Sequence, residues 1–271
     1  MFFSQSSAVY FNHSLKYAIR DLHGLGYKGI EIWGGRPHMY RHDLDEQMPE
    51  IVGLLKELNM QVCNYIPAQF RYPSYLCSLN EHVRAESVDY IKAGIDNAVQ
   101  IGSPTVSLCP GMVLFDESVK KGWKQLVKSY KEIEEYVVGK NVRLLIEPAH
   151  RFESNLILTV DDCLRMLDEL QSDKFGILLD TGHANVNGED FKAIIPKCKG
   201  IPLHIHLDDN LGDFDSHMIP GKGNVDFDSL FNALKEVGYK GFISVELGGG
   251  YNMDPTSACK ESLEYLKKHS N

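Results

Sequence analysis

Long apolar runs are missing from this chain. No stretch reaches the roughly 18 consecutive apolar residues that a membrane-spanning helix needs, so no partner membrane is expected. Basic charge is also scarce: 28 Lys and Arg stand against 37 Asp and Glu, a formal net charge of −9. Phosphate backbones are held by excess cation, so no nucleic-acid partner is expected. The six cysteines (63, 77, 109, 163, 198, 259) are scattered without a C-x-x-C pair, and they read as reduced thiols. The first residues, MFFSQSSAVYFNHS, carry neither a basic region nor a long apolar core, so a secretory signal is not expected and the cytoplasm is the expected location.

What is present has the make-up of a globular enzyme. Apolar residues are 43% and charged residues 24% of 271, enough chain for two average domains or one large α/β barrel. Short apolar runs at 2–6, 29–33, 61–66, 105–109, 143–147, 175–180, 201–207 and 242–247 read as strands. Helical periodicity lies between them, near 14–25, 44–58, 81–101, 117–138, 160–170, 189–196, 226–237 and 255–268. In SLKYAIRDLHGLG, for example, Leu15, Ala18, Ile19, Leu22 and Leu25 share one face and Gly26 supplies a stop. Eight strand-then-helix units with short connections require a parallel sheet, and about 250 residues suits closure into a (β/α)8 TIM barrel. An open doubly wound sheet is the competing α/β fold, but no G-x-G-x-x-G follows the first strand. No linker or low-complexity segment interrupts 1–271, which reads as a single domain.

Active sites in such barrels lie at the C-terminal ends of the strands. Four successive strand ends carry Glu147, Asp180, His206 and Glu246. One strand-end acid alone is more simply a helix cap, and one strand histidine a hydrogen-bonded core residue. Four at equivalent positions on one closed barrel can converge on a single divalent metal ion. Three carboxylates and an imidazole are mostly hard donors, which puts Mn2+ first, with Mg2+, Co2+ or Zn2+ also compatible. His204 faces the same side as His206, one layer deeper, and reads as packing or as support for it.

The motifs GYKGIEIWG (26–34), IEP…ESN (146–155), LDTGHAN (179–185), HIHLDDN (204–210), DSHMIPGKGNVDF (215–227) and GFISVEL (241–247) run through nearly the whole chain. In that order they resemble the xylose isomerase-like sugar isomerase/epimerase superfamily. IEIWGGRPH (30–38), the 72–87 segment and FESN (152–155) are most similar to its ketose 3-epimerase branch, which includes fructoselysine 3-epimerases. The resemblance implies that Glu147, Asp180, His206 and Glu246 are metal ligands. It also implies that Glu147 and Glu246 are the catalytic acid–base pair, working through an enediolate. It makes His183 a substrate contact, and puts His217 where the branch often has an arginine. The implied partner is a small sugar or sugar derivative, and a homo-oligomer, dimer or tetramer, is implied by the same likeness.

Trp33, Arg36, Tyr65 and Asn155 are further candidates for the substrate pocket, with barrel packing or surface loops as the plainer roles. PGKG (220–223) and GGG (248–250) follow the last strands, where phosphate binding or simple tight turns would each explain the glycines. Two rival functions use the same scaffold. A metal-dependent dehydratase would share the proton abstraction and then expel a hydroxyl. Apurinic/apyrimidinic endonucleases of the superfamily carry three zinc ions and match here at Glu147, Asp180, His183, His206, Asp215, His217 and Glu246. Their further histidines are missing from GIEIW, QVCNYI and TVSLCPG, and Cys109 stands where one would be expected.

Overall fold

The computed structural model describes residues 1–69 and 72–270. Its eight strands are β1 (Phe2–Ser6), β2 (Gly29–Gly34), β3 (Gln61–Pro67), β4 (Thr105–Leu108), β5 (Arg143–Ile146), β6 (Phe175–Asp180), β7 (Leu203–Leu207) and β8 (Phe242–Val245). Each pairs in parallel with its sequence neighbours, and β8 returns to β1, which closes the barrel. The surrounding helices are α1 (Leu15–Leu25), α2 (Met48–Glu57), α3 (Glu81–Ile101), α4 (Val119–Val137), α5 (Val160–Leu170), α6 (Thr181–Asn187), α7 (Phe191–Ile194), α8 (Phe227–Glu236) and α9 (Pro255–His269).

Local chemistry explains the element limits. Ser14 caps α1 by accepting from the Tyr17 N–H, and Gly26 closes it in the left-handed region at φ 97°. Leu15, Ala18, Ile19 and Leu22 are buried in the hydrophobic core. α5 begins with a reciprocal capping box between Thr159 and Asp162, and buries Val160, Cys163, Met166 and Leu170. β6 is buried at every residue, as expected for a parallel strand covered on both faces.

Several expected boundaries shift. β7 begins at Leu203 rather than 201, because Pro202 has no N–H for the ladder; its carbonyl still accepts from the Ile177 N–H at 2.8 Å. β4 stops before Cys109, β5 before Glu147 and β8 before Glu246. The expected helix over 189–196 is divided into α7 and a 3-10 turn, Ile195–Cys198, that contains Pro196. α6 was not expected at all. It is a two-turn helix whose N-cap is Asp180 and whose end is Gly188 at φ 71°.

Register then places the chemistry. Asp180 pairs with His206, and His206 with Ser244, so these side chains emerge on one side of the sheet, toward the axis. Glu147 and Glu246, one residue beyond their strands, keep the ladder through N–H donation to Leu108 (3.1 Å) and Leu207 (3.2 Å).

Two glycines give opposite predictions. A Cβ on Gly176 in β6 would lie 2.3 Å from the Pro202 carbonyl oxygen, whereas one on Gly24 in α1 meets nothing within 4 Å. Gly176→Ala should cost about 1–3 kcal/mol through overpacking against rigid backbone. Gly24→Ala should stabilise by roughly 0.5–1 kcal/mol through helix propensity. Urea denaturation of both variants checks the pair; equal midpoints would contradict this packing.

Candidate functional site

The four strand-end residues converge. Ligand-type atoms of Glu147, Asp180, His206 and Glu246 all lie within 4.8 Å of one another. His206 Nδ1 is 2.7 Å from Glu246 Oε2, 3.4 Å from Glu147 Oε1 and 3.7 Å from Asp180 Oδ2. Its other nitrogen, Nε2, lies 2.8 Å from Glu31 Oε2. Asp180 is divided in the same way: Oδ1 caps α6 by accepting from the His183 N–H at 2.8 Å, while Oδ2 is buried without a hydrogen-bond partner.

This crowding shows in the ionisation of the groups. Burial, then the charge of Asp208, raises Asp180 to about 7. Burial likewise raises Glu147. Burial acts the same way on Glu246, but the charge and hydrogen bond of His206 outweigh it and leave Glu246 lowered. His206 is raised well above its usual value because Glu31 and Glu246 overcome its own burial. Three carboxylates around one imidazole, with an unpartnered carboxylate oxygen among them, have the donor chemistry of a divalent cation site.

Above them opens a cavity of about 270 Å3, lined by Trp33, Ile66, Pro67, Ala68, Gln69, Cys109, Glu147, Glu153, His183, His217 and Glu246. Of the expected substrate contacts, His183, His217 and Trp33 line it. The other three lie elsewhere. The Tyr65 hydroxyl is buried and donates to the Met39 carbonyl at 2.7 Å. Asn155 is tied to the Val113 backbone, accepting from its N–H at 2.9 Å and donating to its carbonyl at 3.0 Å. Arg36 is exposed, paired with Asp43 and set over the Tyr40 ring. These three serve packing and loop order.

A second group adjoins the cavity. Asp215 Oδ2 lies 2.7 Å from His217 Nε2, 3.3 Å from His150 Nε2 and 3.4 Å from His183 Nε2. His217 also faces Asp208 at 3.1 Å, and Asp208 accepts from the Gly182 N–H at 2.8 Å. His150, Glu153 and Gln69 escaped the sequence reading; Glu153 lay within FESN, three residues from His150, so the spacing was a usable signal. The glycines of PGKG are not free for phosphate: Gly221 and Gly223 each donate their N–H to Asp209 Oδ2 at 2.8 Å, and Lys222 pairs with Glu261.

The sequence profile described as the xylose isomerase-like TIM barrel matches residues 19–269. The chain belongs to that family. Among its relatives, the Shigella flexneri protein named fructoselysine 3-epimerase is 32% identical over 256 residues, covering 93% of this chain and 92% of the relative. A solved structure described as a D-tagatose 3-epimerase-like protein superposes with a TM-score of 0.82 at 24% identity, over 99% of both chains. A structure of the IOLI protein with a bound zinc atom gives a TM-score of 0.84 at 18% identity, over 100% of this chain and 98% of the other. At those identities the two structures support the fold.

The second group predicts a pH dependence. Burial opposes protonation of His150, yet Asp215 and Glu153 outweigh it and raise its pKa to about 9. A raised histidine contributes fully below its unfolded value of about 6.5, and that contribution goes as pH rises through about 9. In metal-free protein, the thermal midpoint of the wild type should therefore fall over this window more steeply than that of His150→Asn. Parallel curves would exclude the His150 pairing as a source of stability.

Proposed function

We propose that this protein is a metal-dependent sugar epimerase that inverts the carbon beside the carbonyl of a ketose or a fructosamine-type ketosamine. The observation that carries the reading is that Glu147 and Glu246, from the ends of two different strands, both lie within 3.4 Å of His206 Nδ1 and both line the cavity. The name of the 32% identical relative supports the reaction class.

Glu147, Asp180, His206 and Glu246 would hold one divalent ion, Mn2+ in the first instance. When bound, such an ion supplies positive charge that polarises a carbonyl and favours an enediolate. The chain's own groups do the proton work. One glutamate takes the proton from the carbon on one face, and the other returns one to the opposite face. In the metal-free protein burial pushes Glu147 up, while His206 draws Glu246 down, so the two carboxyls have unlike surroundings. Glu153, His183 and His217 present polar atoms to the substrate's hydroxyls, while Trp33 offers a flat apolar face.

The test is incubation of Mn2+-loaded protein with a panel of ketoses and ketosamines in D2O. Deuterium should enter beside the carbonyl with inversion and without loss of water; a dehydrated product would make the protein a lyase instead. With metal saturating, Glu147→Gln and Glu246→Gln should each lower kcat by about 10²–10⁴. Full activity after exhaustive chelation would refute the metal requirement.

A further inference from the structure

We propose that Glu31 is a positioning residue for the metal site. It holds His206 with Nε2 protonated, so that the Nδ1 lone pair points at the ion. This rests on the reading that Glu147, Asp180, His206 and Glu246 bind a divalent cation.

Glu31 stands on β2, across the barrel from β7, and is fully buried. Its Oε2 accepts from Asn64 Nδ2 at 3.0 Å and lies 2.8 Å from His206 Nε2 and 3.1 Å from His204 Nε2. Asn64 is itself held in the donating orientation. Its Oδ1 accepts from the Thr105 hydroxyl at 2.7 Å, and its Nδ2 also reaches Ser107 Oγ at 2.6 Å. Side chains from β2, β3, β4 and β7 thus meet in one polar layer directly beneath the proposed ligands.

The chemistry of this layer is one-directional. An ionised carboxylate only accepts, so a neutral imidazole facing it must carry its proton on Nε2. With the site loaded, the same ring's Nδ1 would be left as the metal donor, and it faces Glu147, Asp180 and Glu246. A carboxylate behind a metal-bound histidine fixes the ring's orientation and strengthens it as a donor. Packing alone does not explain Glu31, because its Oε1 is buried with no hydrogen-bond partner. A buried carboxylate left half unsatisfied is costly, and an apolar side chain would fill the space at lower cost.

The test separates this inference from the site reading. Metal-free wild type, Glu31→Gln and Asp180→Asn are titrated with Mn2+. Wild type should bind one ion per chain and Asp180→Asn should bind far more weakly. If either fails, the site reading falls and this inference with it. Glu31→Gln keeps the volume and loses the charge, and should bind Mn2+ about 10–100-fold more weakly. Affinity equal to wild type would overturn the role of Glu31 and leave the site standing. A second measurement needs no variant: long-range 1H–15N NMR of histidine-labelled, Zn2+-loaded wild type. His206 should be coordinated through Nδ1 with a proton on Nε2, and coordination through Nε2 would overturn the proposal.

Discussion

Three carboxylates brought around one buried imidazole set the terms for the rest of this structure. Like charges in low dielectric repel strongly, and burial alone disfavours each charged form. The protein offsets this with hydrogen bonds on the side away from the cluster: Asp180 gives one oxygen to the cap of α6, and His206 gives one nitrogen to Glu31. What remains, Asp180 Oδ2 without a hydrogen-bond partner and His206 Nδ1 at 2.7 Å from Glu246 Oε2, faces the same small space. Asp180 and His206 are thus each anchored at the rear with a second donor atom turned to the cluster, the arrangement of a candidate cation site.

The barrel makes this possible through register. In a closed parallel sheet, neighbouring strands present register partners on the same side, so Asp180 and His206 adjoin without any loop having to bring them together. Glu147 and Glu246 sit where β5 and β8 have just ended but their N–H groups are still held by the next strand over. Their backbones are therefore anchored while their side chains reach over the rim. Below the rim, the inward positions of β2, β3 and β4 carry Glu31, Asn64 and Ser107, so a polar layer underlies the cluster.

Much of this was legible in the sequence, and for a physical reason. Strand ends on a barrel are equivalent positions, so Glu147, Asp180, His206 and Glu246 could be compared with one another without knowing any contact. The helix expected over 160–170 matches α5 at both ends, because its periodicity is local and its start is fixed by a cap between Thr159 and Asp162 that needs nothing distant. Tyr65, Asn155 and Arg36 were misplaced because the partners that claim them, Met39, Val113 and Asp43, are choices of tertiary packing. α6 was missed because its N-cap is Asp180 itself, a residue already read as a strand end. His150 gave no periodic signal; its meaning depends on Asp215, which lies 65 residues further on and reaches it only through the folded β7–α8 loop.

The cavity above the cluster has two unlike walls, and the difference follows from which strands supply them. Strands β5 to β8 and their loops contribute Glu147, Glu153, His183, His217 and Glu246, while β2 to β4 contribute Trp33, Ile66, Pro67, Ala68, Gln69 and Cys109. A sugar has hydroxyls around its edge and C–H groups on its faces, so a carbohydrate bound between such walls would turn its reacting oxygens toward one and an apolar face toward the other. The group around Asp215 strengthens the polar wall in a particular way. One carboxylate oxygen lies within 3.4 Å of nitrogens on His150, His183 and His217, which restrains two cavity-lining rings at once. Rings restrained before binding need lose less freedom when they bind, so the polar wall is set in advance of any ligand.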